Sequence, residues 1–127
     1  MDRERLGNGV KFYCVVNTPE SRGVWRKMTE QQKNAMNFIA DKMNMAGLVN
    51  LSGKNRYDMM MELNIKSGRF YQLIRQLREL NVIRKYGGGD YIVNPSLYFK
   101  GKASDMGRKM SIYNYKIEEH ESREHKS

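Results

Sequence analysis

Six cations stand between Lys66 and Lys85, namely Lys66, Arg69, Arg75, Arg78, Arg84 and Lys85, against one acid, Glu79. Arginine and glutamine can each make paired hydrogen bonds to a guanine or adenine edge in the major groove, whereas lysine and serine suit phosphates. Phe70, Leu73, Ile74, Leu77 and Leu80 recur at the spacing of one buried helical face. What that stripe leaves exposed is Lys66, Ser67, Arg69, Tyr71, Gln72, Arg75 and Arg78. A solvated helix face usually mixes its signs; one sign dominates here, which favours insertion into a nucleic-acid groove.

Other chemistries fit less well. Gly87, Gly88 and Gly89 could cradle a phosphate, but a phosphate loop runs directly into a helix and usually carries Lys with Ser or Thr. The strand-like Tyr91-Ile92-Val93-Asn94 follows instead, so the glycines mark a hairpin turn. A nicking enzyme would need a tyrosine nucleophile beside a metal held by paired histidines. The two histidines, His120 and His125, lie in a charged tail, and none of the eight tyrosines has a visible activating partner. Acids are few and fall mostly on helix surfaces, so a general acid/base pair is hard to place. A single Cys14 builds neither an internal disulfide nor a thiolate metal cage. The expectation is a binder with no catalytic residues, metal or cofactor.

The elements that must position these residues can be traced in the pattern. Thr29 is a natural N-cap with Glu30 at the positive end of the dipole, and Ala35, Met36, Ile39 and Met43 form a stripe with Phe38 at its edge. Gly47 is expected to stop this helix, and Leu48 to Leu51 to add a third strand to a small sheet. Ser52 or Asn55 then starts a short helix whose face is Tyr57, Met60 and Leu63. Asn64 tolerates the left-handed conformation, Ile65 plugs the turn and Ser67 caps the basic helix. Runs 82–86 and 90–94 flank the glycines, with Ile83, Tyr91 and Val93 inward and Arg84, Lys85 and Gly88 near a DNA backbone. Asn94 and Pro95 end the strand, and a one-turn helix through Leu97, Tyr98 and Phe99 closes at Gly101. The order is that of an α+β winged helix-turn-helix: a three-helix core with a small antiparallel sheet and hairpin wing.

Outside this unit the pattern is thinner. Val10 to Val16 reads as a strand with Cys14 as a small buried filler, Asn17 to Gly23 as a loop, and Trp25 as a core anchor. The ten methionines, Met59 to Met61 among them, are unbranched core filler. After Ser104, Met106, Met110, Tyr113 and Ile117 repeat as a helical stripe that suits packing on the core or on a second subunit as a homodimer. The division expected is 1–28 as an N-terminal strand and loop, 29–101 as the DNA-binding domain and 102–127 as a helix with a mobile charged tail.

In 127 residues, 23 basic against 14 acidic side chains leave a net charge of +9, which favours a polyanionic partner. There is no uninterrupted apolar span, acylation glycine or prenylation box, so membrane work is not expected. The start MDRERLGNGV lacks the apolar core of a signal peptide, which points to a reducing cytoplasm. No sheet face carries an aromatic stacking platform of the kind that binds RNA.

The run from the first core helix through the wing, above all Tyr91 to Gly101 (YIVNPSLYFKG) after a basic, glycine-tipped hairpin, resembles the RepL family of plasmid replication proteins of Gram-positive bacteria and their phages. The similarity covers roughly residues 29 to 101. It implies a winged-helix protein that binds duplex DNA at the origin of a small replicon and helps host replication proteins assemble there. The fold and charge alone would equally suit a transcriptional repressor or regulator encoded by a mobile element.

Overall fold

The computed structural model describes residues 13–101 and 103–114. The expectations for Val10 to Phe12, for the Cys14 side chain, for Ile117 and for both histidines fall outside the described residues. The chain begins with strand β1 (Cys14–Val15) and helix α1 (Pro19–Lys27). The Thr18 hydroxyl accepts from the Ser21 amide at 3.1 Å, and Ser21 Oγ accepts from the Thr18 amide at 2.8 Å. This reciprocal box and a proline in the first turn start a helix where a loop was expected, because the residues that favour turns also favour helix N-termini. Trp25 leans on the core, its ring 6.4 Å from that of Tyr98.

A second capping box, Thr29 with Gln32, opens α2 (Glu30–Lys42). Ala35, Met36, Phe38, Ile39 and Met43 are all buried as their spacing predicts. The helix ends at Lys42, ahead of Gly47, which instead forms the turn into β2 (Leu48–Asn50). Helix α3 (Gly53–Leu63) buries Met59 completely and Met60 and Leu63 in part, while Tyr57 and Met61 stay 61% and 64% exposed. The stripe is thus rotated from the expected one, and of the three consecutive methionines only Met59 lies wholly in the core, since successive helical positions turn through 100°.

Asn64 ends α3 at φ 54°, ψ 53°, in the left-handed region, and Ile65 tucks against the core. Lys66, not Ser67, takes the N-cap position of α4 (Ser67–Glu79), without a side-chain cap bond. Phe70, Leu73, Ile74 and Leu77 bury the inner face of α4 against α2 and α3. Gln32 Nε2 donates to Gln76 Oε1 at 2.8 Å, tying the start of α2 to the outer half of α4.

Strands β3 (Ile83–Gly87) and β4 (Asp90–Val93) form the hairpin, and β2 joins it to give the antiparallel order β2-β4-β3. Ile83, Val93 and Val49 line the face towards the helices with Tyr91 beside them. Residues 98–99 form a strand, β5 (Tyr98–Phe99), paired with β1 in a second small sheet, where one helical turn was expected. The cause is Asn94. Its carbonyl accepts from the Leu97 and Tyr98 amides, its side chain from Ser96, and its Nδ2 donates to Asn81 O. The turn is spent on Asn94 to Leu97, and the chain leaves it extended beside β1. Lys100, only 4% exposed, then donates to the Met43 carbonyl at the end of α2, where a cation complements the helix dipole. A short 3-10 turn (Ala103–Asp105) leads into helix α5 over 106–114. The fold is α+β winged helix.

Candidate nucleic-acid interface

Helix α4 presents its polar side outward, because its inner side is consumed by the core. Lys66, Ser67, Tyr71, Gln72 and Arg75 are exposed, and Arg69 and Arg78 are half-buried. Gly68 at the start of the helix adds no side chain, and a Cβ there would meet nothing within 4 Å. Arg69 is held from two sides. Its Nε donates to Gln31 Oε1 and its Nη1 to Gln72 Oε1, each at 2.8 Å. Tyr71 accepts a hydrogen bond from Arg56 of α3, whose guanidinium carbon lies 5.8 Å from the ring centre. The short helix and the basic helix therefore share one polar edge. Sequence reasoning missed Gln31, which lies 38 positions from Arg69, and Arg56 of the preceding helix; neither carries a motif.

The wing continues this surface. Burial pushes the Tyr91 phenol above its ordinary value while the Arg78 charge pulls it down and Tyr71 adds to the rise. Helix α4 packs against β3, which pairs with β4, so helix and wing lie side by side. Lys85 pairs across from Tyr91, and both lie on the side of the sheet that faces the helices. Arg84, one residue earlier, must point to the opposite face. There its guanidinium donates to Asn81 Oδ1 at 2.9 Å and to the Tyr113 carbonyl at 3.2 Å, and it stacks on the Tyr113 ring. Of the two adjacent wing cations, Lys85 is exposed beside α4 and Arg84 is engaged by α5.

The wing tip is anchored at its root. Leu51 N donates to Gly89 O at 2.9 Å, and Asn50 Nδ2 donates to Asp90 Oδ1 at 2.8 Å. A Cβ on Gly89 would lie 2.9 Å from Ser52 Oγ, so only glycine lets the tip close on the start of α3. Gly88, at φ +56°, turns the hairpin and stands exposed. The tip is held against the start of α3.

The geometry comprises one convex basic helix flanked by a braced hairpin. Against models of known families, residues 27–127 match the Firmicute plasmid replication protein (RepL). The chain belongs to the RepL family. The match runs beyond Gly101 and so takes in α5 as well as residues 29 to 101, over which the resemblance was expected. Comparison with curated proteins and with solved structures returns no match. Among the described residues, no helix is long and apolar enough to cross a membrane.

Proposed function

We propose that this plasmid replication protein binds duplex DNA sequence-specifically at the origin of its replicon and helps host replication proteins assemble there, with no catalysis of its own. The carrying observation is the outward face of α4, where Lys66, Ser67, Gln72 and Arg75 are exposed beside Lys85 and Gly88 of the braced wing. In winged helix-turn-helix docking the second helix enters the major groove. Arg69, Gln72 and Arg75 then meet base edges, while Lys66, Ser67, Lys85 and the Gly88 backbone meet phosphates. Tyr71 and Arg78 lie along the edge of α4 that faces the wing, and Arg84 supports the wing from behind. The domain that does this is residues 29–101, and the place of action is the host cytoplasm, where the replicon resides.

Family membership favours replication over transcriptional control. Footprinting on DNA of the replicon that encodes the protein tests the reading. Protection of a discrete segment, and persistence in a host of a plasmid carrying only that segment and this gene, are expected. Protection without persistence would favour a regulator, and no protection above random DNA would remove the sequence-specific reading.

A further inference from the structure

We propose that Gln31, Arg69 and Gln72 form one guanine-reading unit, in which Gln31 is a positioning residue that aims the Arg69 guanidinium. This rests on the reading of α4 as the groove-inserted helix. Arg69 is the third residue of α4, in the first turn, the part of such a helix that reaches base edges. An unrestrained arginine there would sample many rotamers. This one is clamped through Nε by Gln31 of α2 and through Nη1 by Gln72, each bond 2.8 Å.

The clamp selects what remains for DNA. A guanidinium has five N–H groups, of which Nε–H and one on Nη1 are used. The side edge formed by Nε and Nη2 is therefore closed. The terminal Nη1–Nη2 edge offers two parallel donors, the pattern that matches O6 and N7 of guanine, when Gln72 holds the Nη1 hydrogen on the Cδ side. Gln72 is altered as well. Adenine requires a glutamine to donate to N7 and accept from N6, but Gln72 Oε1 already accepts from Arg69. Oε1 keeps one lone pair, but a paired contact to adenine would need that oxygen to serve Arg69 and N6 at once, so Gln72 is biased toward donating to a guanine or thymine oxygen or a phosphate. Gly68 leaves no side chain between this unit and the groove. The adjacent Gln32 has a different task, closing the Thr29 capping box and bonding Gln76, so Gln31 can be changed without uncapping α2.

The test uses the full chain and its footprinted duplex, with each guanine replaced singly by 7-deazaguanine. At one guanine or more, wild-type binding should weaken about tenfold. Arg69→Met, which has no donor for N7, should bind the normal and modified duplexes equally. Gln31→Ala should lose most of that discrimination while its affinity for random duplex is unchanged, and Gln31→Glu, which keeps an acceptor facing Nε, should retain the discrimination ratio. Full discrimination in Gln31→Ala, or 7-deazaguanine sensitivity that persists in Arg69→Met, would overturn the unit while leaving groove insertion intact. A wild-type protein that does not prefer its footprinted site to random duplex would overturn both.

Discussion

The guanidinium carbon of Arg84 lies 4.0 Å from the centre of the Tyr113 ring, and the Tyr113 hydroxyl reaches Asn81 O and Oδ1 at 3.0 Å each. Wing, post-α4 turn and α5 are thereby joined behind the candidate interface. Tyr113→Phe and Arg84→Ala should each lower stability by about 1 kcal/mol, through a lost hydrogen bond and a lost stacked cation respectively. Urea unfolding would measure this. Arg84→Ala should leave the salt dependence of DNA binding nearly unchanged, which distinguishes a brace from a phosphate contact.

Arg75 and Lys85 should separate in DNA binding. Arg75→Ala is expected to cost ~1 to 3 kcal/mol on a cognate site and much less on random duplex. Lys85→Ala should weaken both alike and reduce the slope of log affinity against log salt by about 1. Titrations at three salt concentrations would show equal losses for both variants if Arg75 touches only phosphate.

Asn64 sits at positive φ where α3 gives way to α4. Asn64→Gly should be neutral or mildly stabilising, whereas Asn64→Val should destabilise by about 1 to 2 kcal/mol, because a β-branched side chain crowds the left-handed backbone. Thermal melts of the two variants should move apart, and coincident melts would mean that the turn relaxes to another conformation.

Lys100 donates from a buried position to the Met43 carbonyl, and Lys109 donates to the Met45 and Lys100 carbonyls. Removing the first cation by Lys100→Ala should cost about 1.5 to 3 kcal/mol, the range for a hydrogen bond to a charged group. Lys109, partly desolvated and more exposed, should cost less when replaced by Ala. Comparing the two denaturation midpoints checks the order.

Alkaline pH should unfold the protein through its buried phenols. Burial pushes Tyr98 from 10.0 up to about 12, with Tyr13 adding to the rise, and burial raises Tyr113 as well although Arg84 opposes it. A folded-state value above the unfolded one means that the folded state holds the proton longer. The associated stability is complete below pH 10 and drains away as pH climbs towards 12. Denaturant midpoints should therefore fall over that window, and Tyr98→Phe should flatten the fall.

Much of this architecture is written locally. The stripes at Ala35 to Met43 and Phe70 to Leu77, the left-handed Asn64 and the glycine hairpin depend on neighbours within a turn or a strand pair, and periodicity reports those directly. The same locality misleads at Thr18 to Ser21, where turn formers cap a helix, and at Tyr98, where an apolar run serves equally as strand or helical turn. Along α4, the sequence by itself determined which residues remain outside the core, because burying one apolar face leaves the polar one no alternative. Tertiary structure alone decided how those residues are held. Gln31 reaches Arg69 across 38 positions and Tyr113 reaches Arg84 across 29, and no spacing rule encodes a contact made only when separate elements pack. The pleat implied that Arg84 and Lys85 face apart; only the docking of α5 showed what waits on the far side.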